Sequence, residues 1–151
     1  MVVFLFAACL LPFISAGSED QSSTATVQRL FDAMSTHDAD AARALFIPQA
    51  SLFSVQPDGT AVAVPYEKWL EHLSASKDSW LERIWNPKVL EHESVAIVWA
   101  QYDFHLNGKF SHCGIDSFNL LKTAAGWKIA AVADTHEVSG CSPSPLGPPA
   151  K

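Results

Sequence analysis

Residues able to move protons recur at strand spacing near the C-terminal end of this 151-residue chain: Asp103, His112, Asp116, Asp134 and His136. Successive residues of a strand point to opposite faces, so the chemistry depends on which of these share one. The dipeptide Asn107-Gly108, between two alternating stretches, is a strong hairpin signal because a type I′ turn needs positive φ at both central positions. Counting outward from it sets Leu106 against Lys109, His105 against Phe110, Asp103 against His112, Gln101 against Gly114, Trp99 against Asp116 and Ile97 against Phe118. A second turn, Thr123-Ala124-Ala125-Gly126, suits a three-residue loop with Gly126 left-handed, which sets Thr123 against Trp127. Asp116 then meets Asp134, Phe118 meets Val132 and Gly114 meets His136. A four-residue loop would move the last strand by one residue and swap its faces.

This count gives one graded face. Ile97, Phe118, Leu120 and Val132 form an apolar end, and Trp99, Gln101, Asp103, His112, Asp116, Asp134 and His136 form a polar one. Facing aspartates would raise the pKa of one of them, and His112 beside Asp103 would be held in one tautomer and made more basic. Those are requirements of general acid–base work, which makes Asp116, His112 and Asp103 the candidate catalytic groups. Trp99, Gln101, Phe118, Asp134 and His136 are the candidate ligand contacts. The competing reading is a solvated rim, where cross-strand Asp and His pairs carry no chemistry.

The elements that must position these groups follow from periodicity. Ser22 or Ser23 caps a helix whose apolar residues Val27, Leu30, Phe31 and Met34 fall on one stripe, ending near Thr36. Asp38 offers a second cap, and Ala41, Ala42, Leu45 and Phe46 carry a short helix that must stop before Pro48. Residues 50–56 and 60–64 read as a hairpin around Pro57-Asp58-Gly59. Pro65 opens a third helix with the stripe Tyr66, Trp69, Leu70 and Leu73. From Trp80 the period becomes two, with strands predicted over 81–91, 95–106, 109–122 and 127–138. The expected fold is α+β: two to three N-terminal helices packed into a curved, cone-shaped antiparallel sheet over residues 22–138. Four prolines follow Gly140, which predicts a disordered tail over residues 139–151 that joins no sheet ladder.

With 48% hydrophobic residues the chain supports one domain with a real core. A net charge of -6 and only 10 Lys plus Arg argue against a nucleic-acid partner. Residues 1–17 begin with an uncharged, almost wholly apolar run and close on Ser15-Ala16-Gly17, which reads as a secretory signal without a basic n-region. The run is short of the roughly 20 residues a spanning helix needs, so no stable membrane span is expected once it is removed; an uncleaved anchor is the alternative. The expected location is secreted or periplasmic. Removal takes Cys9 and leaves Cys113 and Cys141, which an oxidising compartment would let pair; the alternative is a buried thiol and a free one. No metal site is expected, because Cys113 points away from His112 on a strand and His105, His112 and His136 show no tight ligand spacing. No phosphate-cradling loop or nucleophile elbow occurs, and no cofactor is expected.

The element order, with Tyr102-Asp103-Phe104 before the Gly108 turn and Gly126-Trp127-Lys128-Ile129 after the next, resembles the SnoaL-like and putative lumazine-binding families of the nuclear transport factor 2-like superfamily. That resemblance implies the cone fold, a pocket inside it and a homodimer through the sheet. Relatives such as ketosteroid isomerases, scytalone dehydratases and polyketide cyclases transfer protons with Asp, His or Tyr inside the cone, while others only bind ligands or pair subunits. No one subfamily's full residue set is present here. The face opposite the graded one, with Ala96, Val98, Ala100, Tyr102, Phe104, Ile115, Leu121, Trp127 and Ile129, is too apolar for solvent and independently predicts a sheet-on-sheet dimer. The sequence therefore points to an exported protein binding an apolar or aromatic small molecule. The alternatives are a cofactor-independent isomerase, dehydratase or cyclase using Asp and His, and a dimeric interaction module without catalysis.

Overall fold

A computed structural model describes residues 21–55 and 58–149. The leader read over residues 1–17, with Cys9, and the Pro57 corner of the first hairpin lie outside the described residues. Helix α1 (Ser23–Thr36) starts where the Ser22 hydroxyl accepts the Ala25 N–H at 3.0 Å. It ends at His37, which is left-handed (φ 55°). Its buried stripe contains Val27, Leu30, Phe31 and Met34, as the periodicity requires. Helix α2 (Ala39–Arg43) is capped by the Asp38 carboxylate and is shorter than the spacing suggests. The chain enters strand β1 (Phe46–Val55) directly, and Pro48 sits in the strand where its pairing register is interrupted, the place a residue without an N–H is tolerated. Strand β2 (Ala61–Pro65) and helix α3 (Tyr66–Ala75) follow, and then the long strands β3 (Trp80–His92), β4 (Val95–Leu106), β5 (Lys109–Thr123) and β6 (Gly126–Asp134).

The six strands form one curved, unclosed sheet in the order β2-β1-β6-β5-β4-β3. All pairings are antiparallel except β1 with β6, so the sheet is mixed. The helices fill its concave side. Ala96, Val98 and Ala100 on β4 are fully buried there, small enough to let α1 approach, and Phe31 meets Phe118 edge-on at 5.8 Å.

The hairpin turn is as expected, with Asn107 and Gly108 at φ 53° and 72°, and Leu106 pairs Lys109 and His105 pairs Phe110. The count then fails by one residue. Ser111 is an unpaired bulge in β5, so Phe104 faces His112, Asp103 faces Cys113, Tyr102 faces Gly114, Gln101 faces Ile115 and Ala100 faces Asp116. Every β5 side chain beyond the bulge changes its partner face. The concave side is built by Ala96, Val98, Ala100, Tyr102 and Phe104 together with His112, Asp116 and Phe118; Trp99, Gln101, Asp103 and His105 lie on the convex side.

At the other hairpin two departures cancel. Gly126 is left-handed as expected (φ 89°) but pairs Thr123 itself, and a second irregularity at Ala130 restores the count, so Phe118 still meets Val132 and Asp116 still meets Asp134. A third irregularity, at Asn86-Pro87, bends edge strand β3.

Beyond β6, Cys113 and Glu137 exchange backbone hydrogen bonds of 2.9 Å, and Cys113 is disulfide-bonded to Cys141. The Pro-rich segment joins no ladder. It runs along the convex side, where Arg83 Nη1 donates to the Gly147 carbonyl at 3.0 Å and the Ser144 hydroxyl reaches Asp103.

Candidate functional site

The helices do not cover the whole concave face. A cavity of about 210 Å³ remains between α1, α3 and strands β1, β3, β4, β5 and β6. Its walls are apolar, from Leu30, Phe31 and Met34 on α1, Trp69 on α3 and Leu52, Trp80, Phe104, Phe118 and Val132 on the sheet. Glu82, Asp116 and Asp134 come together against these walls, with Tyr102 and His112 alongside. The two-residue period of β3 puts Glu82 on the concave face between Trp80 and Ile84, the pairing of β5 with β6 sets Asp116 opposite Asp134, and the Ser111 bulge turns Asp116 and His112 inward.

Asp116 is 2% exposed, and among the described residues its Oδ2 has no hydrogen-bond donor. The group with which its side chain shares a hydrogen bond is another carboxyl, Glu82, so one of the two holds a proton. Burial pushes Asp116 up to about 7; the hydrogen bond from Glu82 works against this and the charge of Asp134 adds to it. Glu82 is raised well above the carboxylate range, by burial first and then by the charge of Asp116. Burial raises Asp134 as well, against a lowering by His136. A buried carboxyl that ionises near neutrality, as Asp116 does, can both give and take a proton.

Tyr102 is 2% exposed and donates its phenolic hydrogen to the Thr135 carbonyl at 2.7 Å; burial and the neighbouring carboxylates push its own ionisation far up. Gly114 makes this approach possible, since a Cβ there would lie 2.1 Å from the Thr135 carbonyl oxygen. His112 stacks on Phe104 (4.9 Å) and on His136 (3.8 Å), and its Nδ1 lies 3.0 Å from the Ser111 hydroxyl. Burial, then His136, brings His112 down to about 4, so the ring is neutral.

Of the residues singled out from sequence, His112, Asp116, Phe118 and Asp134 line this cavity, and His136 lies at its rim on His112. Asp103, Trp99 and Gln101 do not reach it. The expected pairing of Asp103 with His112 is corrected: the Ser111 bulge separates them, and His112 becomes less basic, not more. Asp103 instead holds Arg83 through two contacts, Nε–Oδ1 at 2.8 Å and Nη2–Oδ2 at 2.6 Å, with His105 Nε2 at 3.4 Å. Burial would raise Asp103, but the Arg83 hydrogen bonds and charge bring it below its usual value. Gln101 accepts the Trp85 indole N–H at 3.0 Å, and Trp99 is 37% exposed beside Lys88. Sequence reasoning missed Glu82 and placed Tyr102 on the wrong side. The available signal was an acid at the centre of the alternating apolar set Trp80, Glu82, Ile84. Among the described residues no group of three or more His, Cys, Asp or Glu could hold a metal ion, and no helix is long and apolar enough to cross a membrane.

Solved structures share this architecture. A nuclear transport factor 2-like protein of unknown function from Shewanella baltica is 18% identical, with a TM-score of 0.59, over 77% of this chain and 91% of its own. One from Cytophaga hutchinsonii is 12% identical, with a TM-score of 0.67, over 80% and 99%. A protein of the same fold from Streptomyces avermitilis, described as a "putative dehydratase", is 12% identical, with a TM-score of 0.61, over 77% and 94%. At these identities the likeness establishes the nuclear transport factor 2-like fold. No match is found among curated proteins. The family model described as "Putative lumazine-binding" matches residues 18–133, and the chain belongs to that family.

Proposed function

We propose that this chain is an exported protein whose cone binds a small, flat, largely apolar or aromatic molecule oriented by the carboxyl group of Asp116 and its neighbours. The observation that carries the reading is the cavity, with apolar walls and the carboxyl groups of Glu82, Asp116 and Asp134 in its lining, where a ligand can supply hydrogen-bond partners. A void of about 150 Å³ accepts a benzene ring, so this one suits one or two rings. The family description, which refers to lumazine, agrees with a two-ring ligand in size. Export is supported by the apolar leader and by the Cys113–Cys141 bridge. A library of one- and two-ring heteroaromatics, read by melting temperature and by the indole resonance of Trp80, tests the reading. Binders that move both support it, and a library in which none does so removes it.

A second reading is favoured by the proton shared between Glu82 and Asp116: the bound molecule is isomerised or dehydrated, with one carboxyl as base and the other as acid. Binders incubated in deuterium oxide would then exchange a carbon-bound hydrogen, and Asp116→Asn would stop the exchange. Absence of exchange for every binder leaves a binding protein.

The chain also pairs with a second copy through the convex face. The reason differs from the one read in the sequence, because Ala96, Val98, Ala100, Tyr102 and Phe104 are covered by the helices or line the cavity. Exposed apolar residues on the convex side include Phe53, Leu90, Val95, Trp99 and Leu121. Sedimentation at micromolar concentration should give a dimer that Trp99→Glu dissociates; a monomeric parent chain rules the pairing out.

A further inference from the structure

We infer that the cavity is built for an organic cation, a flat amidine or amine whose N–H groups donate to the carboxyl oxygens of Glu82, Asp116 and Asp134. This rests on the proposed binding role and adds the chemical class of ligand. Apart from the one proton that Glu82 and Asp116 hold and the N–H of the neutral His112 ring, the polar groups lining the cavity are acceptors. Glu82, Asp116 and Asp134 present carboxyl oxygens, and the Tyr102 hydroxyl has already given its hydrogen to Thr135 and offers only lone pairs. No Lys or Arg is among the lining residues, and the α1, α3 and β1 contributions are uncharged: Leu30, Phe31, Met34, Trp69 and Leu52. The remaining titratable neighbours are His112, which is neutral, and His136, stacked on it at the rim.

An anion would meet three carboxyls without a counter-charge, and a purely apolar guest would leave those carboxyls with no partner beyond their one shared proton. A cation pairs with these carboxyls and lies beside the rings of Trp80 and Phe104. Its entry also replaces the proton held between Glu82 and Asp116, which passes to solvent, so one positive charge enters as one leaves. Binding therefore strengthens with rising pH up to the point where the pair has lost that proton.

Benzamidine, benzamide and benzoate, titrated calorimetrically at pH 6, 7 and 8, separate cation, neutral isostere and anion. Benzamidine should bind at least about tenfold more tightly than benzamide at pH 8, gaining up to about tenfold per pH unit from 6 to 7, with benzoate silent. Glu82→Gln and Asp116→Asn should each cost benzamidine about tenfold or more and remove most of its advantage over benzamide; if one variant fails to fold the other decides, and if both fail the pH series does. Benzamide binding as tightly as benzamidine, benzamidine binding that ignores both variants, or a pH trend of the opposite sign overturns the inference while leaving a neutral-ligand pocket. Silence of all three probes overturns it too; if the heteroaromatic library is silent as well, the binding role falls with it.

Discussion

Replacing Asp116 by Asn should change how the stability of this protein depends on pH. The native carboxyl ionises near 7 because it is buried, against 3.8 for the free group, so between those values the folded chain holds a proton that the unfolded chain has released. A raised pKa makes its contribution to stability complete below about 4 and removes it as pH climbs through about 7. The interval spans about three pH units at about 1.4 kcal/mol each, so this one group lowers the free energy of unfolding by up to about 4 kcal/mol across it. Glu82, raised by the same burial, adds to the fall. Asn keeps the shape, cannot ionise, and can donate an amide hydrogen to Glu82. Urea unfolding at half-unit steps from pH 4.5 to 8 measures this. The parent chain should lose stability steadily as pH rises, and Asp116→Asn should flatten the curve and be the more stable protein at pH 8. Parallel curves for the two proteins would show that Asp116 ionises normally and would refute the buried shared proton.

Three further outcomes follow from the geometry. Gly114→Ala drives a Cβ to 2.1 Å from the Thr135 carbonyl oxygen, which Tyr102 holds in place, and should cost about 2 kcal/mol or more in denaturant unfolding; a neutral result would mean that the segment moves freely. Arg83→Leu strands the buried carboxylate of Asp103 and should cost about 3–5 kcal/mol, whereas Arg83→Leu with Asp103→Leu should recover most of it, as a double-mutant comparison of melting would show. Reducing the Cys113–Cys141 bridge, which closes a separation of 28 residues, should cost about 3–4 kcal/mol in unfolding measured with and without reductant.

Much of the architecture is legible locally. The Ser22 and Asp38 caps, the stripe of Val27, Leu30, Phe31 and Met34, and the Asn107-Gly108 turn depend on neighbours a few residues away, and each is found where the residues place it. The site is legible only in part. Asp116 against Asp134 survived because the errors at Gly126 and Ala130 have opposite sign, whereas Asp103 and His112 parted at Ser111, a residue with nothing in its type to announce a bulge.

What the sequence determined by itself is therefore the set of helices and strands, the family likeness and the presence of carboxyls and histidines in the long hairpins. Short-range hydrogen bonding and side-chain periodicity are enough for that. Only the tertiary structure decided which face each strand turns inward. A sheet that curves around three helices has to bend at bulges, and a single bulge moves every later residue to the other side. That is why Glu82, Asp116 and Asp134 share a cavity with Tyr102 while Asp103 serves an ion pair on the outside.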